Sequence, residues 1–178
     1  MKGIIFTEFI DFVEQSFGIE VIEDAIETAA FEHGGAFTAV GTYPHEELLT
    51  LVTELHRTTG AEVPAMVQGF GKFLFPRLAA NHPELIGGIK DPITFLESVH
   101  GMIHVAVRRL YPEAELPDIE VQRTSDGALL EYRSPRPFPH LAQGLIEGCL
   151  EHFDVQADVV PGVTDEATGS HSFHVRIH

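Results

Sequence analysis

The sequence predicts an α+β fold: a helical N-terminal half joined to a C-terminal half built on a four-stranded antiparallel sheet and a helix. Three observations carry this. Apolar residues in the first two-thirds recur at helical spacing. Beyond a junction at Pro112–Pro117 the period changes to two. Between two alternating runs stands Asp126-Gly127, a hairpin turn signal.

Taken in order, residues 2–17 place Ile5, Phe9, Phe12 and Ser16 on one helical side, with Gly18 as the stop. A second helix is expected over 21–31, then a Gly-rich loop from His33 to Gly41. Pro44 suits a first helical turn, and Glu46 and Glu47 suit its positive end. That helix runs to about Thr58, with Leu48, Leu51, Val52 and Leu55 on one side. A Phe-rich helix follows over 63–80, and another over 92–111, halted by Pro112. Strands are expected at 119–124 and 128–134, a helix at 138–152, and strands at 155–160 and 172–177. The chain reads as one domain, 1–178, with a helical part over 1–62 and an α/β remainder over 63–178.

Composition narrows the function. The chain has 178 residues, enough for a sizeable core: 44% are hydrophobic and 13 are Phe. Eleven basic residues against 27 acidic ones give a net charge of −16. Such a surface repels nucleic acid and anionic membranes. Cys149 is the single cysteine, so an intrachain disulfide and a multi-cysteine zinc site are excluded. Glu8, Asp11 and Glu14 do not suit a secretory leader, and no apolar run approaches the ~20 residues that span a bilayer. The expectation is a soluble, cytoplasmic protein.

The 92–111 helix is the most informative segment. At ~100° per residue, Leu96, Val107, Ile103, Leu110, Val99, Ala106, Phe95 and Met102 fill one apolar arc. His100 falls beside Val107 at its margin, and His104 about 40° further out. His100 is therefore the histidine better aimed at something buried. Among eleven histidines, the spacing alone also fits a boundary histidine bonded to a carbonyl. Half a zinc site is disfavoured, because Gly101 follows His100 where a HExxH motif needs Glu.

Tyr132, Ser134 and Arg136 recur at period two, so a continuing strand would point all three to one face. Pro135 favours extended geometry at Ser134. A phenol, a hydroxyl and a guanidinium on one side form a carboxylate receptor, although an ordinary polar strand face has the same pattern.

Together these features resemble the H-NOX family, the haem nitric oxide/oxygen-binding domains related to the haem domain of soluble guanylate cyclase. MKGIIF at the start, FGKFLFPRLAANHPEL (70–85), FLESVH (95–100), YRSPR (132–136), GLIEG (144–148) and TGSHSFHVRI (168–177) carry the resemblance along the whole chain. It implies haem b buried between the two parts. His100 would be the axial iron ligand, with Tyr132, Ser134 and Arg136 on the propionates. Pro117, in preference to Pro112, would press on the haem face.

Oxygen-binding members of the family carry a tyrosine on the helix after the propionate motif, and the matching position here is Leu141. Two further polar positions match Phe9 and Leu74. With Ile5 and Leu145 the distal pocket is then apolar. Bound oxygen carries partial negative charge and is stabilised by a distal donor, whereas nitric oxide needs none. The resemblance thus implies a sensor of NO, also taking CO, that excludes oxygen. His140, next to Leu141, would contradict this if the helix were rotated. NO weakening Fe–His100 would release the 92–111 helix. The signal would pass in trans to a histidine kinase, or to a diguanylate cyclase or phosphodiesterase.

Three rivals remain. One is a haem-free small-ligand or protein-interaction module on the same fold. Another is a haem oxygen-binding or peroxidase-like protein. The third is a hydrolase or metal enzyme, which the absence of a nucleophile elbow, phosphate loop and HExxH disfavours.

Overall fold

The computed structural model describes residues 1–136, 138–165 and 167–178. The chain forms two compact units, Met1–Phe70 and Gly71–His178. The division falls inside a helix, eight residues past the boundary suggested by the sequence pattern.

The first unit holds α1 (Gly3–Phe17), α2 (Ile19–Ala29), α3 (His45–Thr59) and the first turns of α4 (Val63–Asn81). The Met1 ammonium donates to the Tyr43 carbonyl at 2.7 Å, and Lys2 bridges Thr42, so the N-terminus is tied down before α1 begins. Gly3 permits this approach, since a Cβ there would lie 1.9 Å from the Thr38 carbonyl oxygen. At Gly18 φ is 99°, which ends α1 and lets α2 start at once, two residues earlier than expected. The core is aromatic. Phe9 meets Phe70 edge-on at 5.0 Å and Phe6 stacks on Phe37 at 4.6 Å. On α3 the buried side is Leu48, Leu51, Val52 and Leu55, as its spacing predicts.

The second unit continues α4 and adds α5 (Pro83–Ile86), a four-residue helix that the sequence reading did not include. Then come α6 (Pro92–Ser98), a π-helical segment (Val99–Ile103), α7 (His104–Leu110), β1 (Asp118–Thr124), β2 (Gly127–Arg133), α8 (Pro139–His152), β3 (Ala157–Asp165) and β4 (Ser170–Ile177). The four strands form one antiparallel sheet in the order β1-β2-β4-β3. The fold is therefore α+β with the four-stranded sheet and helix expected of it.

On β2 the alternation puts Ala128, Leu130 and Tyr132 into the core. Their β4 partners are Val175, Phe173 and His171. Cys149, Leu150 and Ile146 of α8, and Ile93, Phe95 and Leu96 of α6, complete this cluster. The helix α8 approaches α4 closely through glycines. A Cβ at Gly71 would stand 2.5 Å from the Leu141 carbonyl oxygen, and one at Gly148 would stand 2.9 Å from that of Lys72. The strand β3 runs past Pro161 because a register shift between Pro161 and Thr164 spares the missing N–H.

Candidate functional site

The expected continuous helix over 92–111 is in fact three pieces. Asp91 caps α6, accepting from the Thr94 N–H at 3.0 Å and its hydroxyl at 2.6 Å. Arg123 reaches across from β1. Its guanidinium donates to both Glu97 carboxylate oxygens at 2.9 Å, to Asp91 at 2.9 Å and to the Thr94 hydroxyl at 2.8 Å. The Thr94 hydroxyl, and then Arg123, hold the Asp91 carboxyl at about 2.

After Ser98 the helix widens, and this overturns the burial order expected of the two histidines. His104 is buried, with 9% of its surface exposed, whereas the His100 side chain is 47% exposed. The physical reason is the turn. A π-helical turn closes from i to i+5, so each residue advances less than about 90° instead of ~100°. Four steps then fall short of a full circle rather than overshooting it. His104 swings past His100 to the inner side. The apolar arc breaks for the same reason, leaving Met102 53% and Leu110 68% exposed. Burial and the nearby Arg108 push His104 down to about 4, so its ring is neutral near pH 7.

The His100 side chain is half exposed. Its Nδ1 faces the Asp118 carboxylate at 3.6 Å, beyond hydrogen-bond reach. Among the described residues no group of three or more His, Cys, Asp or Glu side chains is placed to hold a metal ion.

Tyr132, Ser134 and Arg136 do come together, but not on a pleated strand. The strand β2 ends at Arg133, one residue before the expected limit and ahead of Pro135. Ser134 then makes a turn, donating to the Arg136 carbonyl at 2.9 Å and accepting from the Arg136 N–H at 3.2 Å. The buried Tyr132 hydroxyl accepts from the Phe138 N–H at 3.2 Å. With only 19% of its side chain exposed, the Arg136 guanidinium pairs with the Glu115 carboxylate and donates to the Glu115 carbonyl at 3.3 Å. The Arg136 guanidinium thus engages a carboxylate, while the two hydroxyls bond to the backbone of Arg136 and Phe138 and shape the turn. This chemistry fits a haem, whose two propionates are carboxylates and whose iron takes one imidazole.

Of the expected pocket-lining residues, Ile5 (half-buried) and Phe9 (fully buried) lie on α1 in the first unit. Leu74, buried, lies on α4 in the second, between Gly71 and Phe75 where α8 approaches. Leu141 and Leu145 sit half-buried on α8 and supply the backbone atoms that Gly71 meets. His140 is exposed. Pro117 is half-buried immediately before β1, and Pro112 is exposed. Sequence reasoning missed Asp118, Glu115 and Arg123, all ordinary surface charges by pattern. It also placed His104 on the wrong side, because nothing in the residue spacing marks a π-helical turn.

The comparisons with known proteins agree with this chemistry. The family described as Haem-NO-binding matches residues 2–160. A mutant H-NOX protein from K. algicida, crystallised in the Fe(II) unliganded state, is 35% identical. That match covers 100% of this chain and 97% of the other, with a TM-score of 0.91. The H-NOX protein from S. oneidensis in the Fe(II)NO state is 27% identical over 100% of this chain and 99% of its own, also with a TM-score of 0.91. The IWP-051-bound H-NOX from Shewanella woodyi in the Fe(II)CO state is 35% identical over 99% and 94%, with a TM-score of 0.84. No curated protein matches the sequence.

Proposed function

The chain belongs to the haem-NO-binding (H-NOX) family of haem-binding gas-sensor domains, and from that premise we propose that it is a ferrous-haem sensor of nitric oxide rather than an enzyme. The observation that carries the reading is the turn after β2. There a mostly buried guanidinium and two hydroxyl-bearing side chains converge, with a carboxylate already against the cation.

Haem b, when bound, supplies an iron that takes one protein imidazole and one diatomic gas. His100 holds it from the π-helical segment, the one place where the helix presents an accessible imidazole. Tyr132, Ser134 and Arg136 would hold the propionates, with Arg136 giving up its pair with Glu115. Pro117, beside Asp118, presses on the haem face. The apolar residues Ile5, Phe9, Leu74, Leu141 and Leu145 line the gas side and offer no donor to oxygen. This supports NO and CO as ligands and the exclusion of oxygen. Freeing His100 from a bound haem would let the wide turn relax and α7 shift against β1. The altered surface is read in trans by a histidine kinase, or a diguanylate cyclase or phosphodiesterase, in the cytoplasm. No helix among the described residues is long and apolar enough to cross a membrane.

Purified protein should show a Soret band, and dithionite followed by NO should convert it to a five-coordinate spectrum. His100→Gly should lose iron ligation and regain it with added imidazole. A colourless protein that takes up no added haem would end this reading.

A further inference from the structure

The turn after β2 is pinned to the start of β4. The Ser134 N–H donates to the Gly169 carbonyl at 3.4 Å. Gly169, at φ 64°, permits the close approach, since a Cβ there would stand 2.7 Å from the Ser134 carbonyl oxygen. From that point the ladder runs in register, Ser170 opposite Arg133 and His171 opposite Tyr132. Residues directly opposite in an antiparallel pair share a face of the sheet, so the His171 imidazole lies beside the Tyr132 phenol. The two ring centroids are 6.2 Å apart.

His171 is half-buried and is held from its other side as well. Its partner on β3 is Thr164, just past the register shift that follows Pro161. The His171 Nδ1 lies 3.2 Å from the Thr164 hydroxyl. That hydroxyl can donate to Nδ1, which leaves the ring proton on Nε2. Among the described residues Nε2 has no hydrogen-bond partner. The imidazole is therefore fixed, with one donor to spare.

The turn itself is short of such donors. A haem carries two propionates. The trio has one cation, Arg136, which takes the Glu115 carboxylate. The hydroxyls of Tyr132 and Ser134 are bonded to the backbone of the turn. A nitrogen donor on the neighbouring strand, in register with the phenol, adds a second N–H for a charged acceptor. We propose that His171 is a fourth member of the carboxylate receptor, its Nε2–H donating to a propionate of the bound ring. This deepens the haem-sensor reading and rests on its propionate turn, not on the iron ligand.

Protoporphyrin IX has the two propionates and no iron, so it tests the receptor without any iron–histidine bond. Its dimethyl ester is the same ring without carboxylates. Affinity of the full chain for each is read by porphyrin fluorescence. His171→Leu removes both nitrogens. His171→Asn keeps an amide near Nδ1 for Thr164 but falls short of the Nε2 position, which His171→Gln reaches. The Leu and Asn variants should bind the free acid roughly tenfold more weakly than the parent with ester affinity unchanged, while His171→Gln stays within about threefold. If the leucine variant does not fold, the asparagine–glutamine pair decides. An acid-to-ester ratio unchanged in His171→Asn, including equal loss of both ligands, overturns the proposal. So does a His171→Gln variant as weak as His171→Asn, or a parent that holds neither porphyrin. If the porphyrin ratios behave as expected but haem binds without a His100 bond, the sensor reading fails and the role of His171 stands.

Discussion

At the residue scale, Leu141 is the side chain on which the proposed gas selectivity turns. It is half-buried on α8, where the family's oxygen-binding members carry a tyrosine, and its neighbour His140 points outward into solvent. A phenol there would donate to the partial negative charge of bound oxygen, a bond worth about 1.5–3 kcal/mol when its acceptor is charged. Leu141→Tyr should therefore form a ferrous–oxygen complex that persists in air, read by its visible spectrum, while the parent should not. An equally stable oxygen complex in the parent would refute the apolar distal pocket. The propionate trio shows what residue type alone can predict. A phenol, a hydroxyl and a guanidinium at period two suggest an anion receptor; in the fold the two hydroxyls bond to the backbone and the guanidinium takes a carboxylate. The means were different, because Ser134 bonds to the backbone two residues on and folds the segment into a turn.

At the element scale, α6 illustrates how a short helix is held. Seven residues cannot sustain a helix unaided, so the Asp91 cap and the Arg123 bridge matter. Replacing Asp91 with Ala should cost about 1 kcal/mol, the usual worth of a side-chain cap, measurable as a lower urea midpoint. The pH dependence has a definite sign. Asp91 titrates lower in the folded protein than when unfolded, at about 2 rather than in the ordinary carboxylate range. Its contribution is present above about pH 4 and is lost as pH falls toward 2. Stability measured across that window should drop less steeply in Asp91→Asn than in the parent. An identical acid profile in the two proteins would show that the cap contributes nothing. The same helix shows where periodicity fails. Helical spacing marked the segment but could not reveal that five of its residues form a π turn. That single local change reversed which histidine is buried.

At the scale of the whole molecule, charge dominates. Twenty-seven acidic residues against eleven basic ones give −16, and like charges oppose compaction. Screening shortens their reach to about 3 Å in 1 M salt, so the melting temperature should rise as sodium chloride increases from low to molar concentration. A flat or falling salt dependence would mean that attractive pairs, such as Arg133 with Glu120 and Glu131, outweigh the repulsion. The division into units also belongs to this scale. It falls at Phe70–Gly71, within a helix that sequence reading assigned wholly to the second part. No composition shift marks the place, since it is set by which neighbours each turn of α4 packs against.

What residue order alone determined is the class of fold and the family, from which the site is proposed. Periods of 3.6 and 2 follow from backbone geometry, and anion-binding or iron-ligating groups are recognisable by type. Only the tertiary structure decided which groups face which. The turn after Arg133 and the π-helical segment are local departures that spacing does not mark, and Arg136 meets Glu115 and Arg123 meets Glu97 and Asp91 only in the folded chain. The opening histidine question shows the difference. Spacing singled out His100 by an angle that the folded chain does not keep. It remains the proposed ligand because its side chain stays half exposed opposite Asp118, whereas His104 is buried.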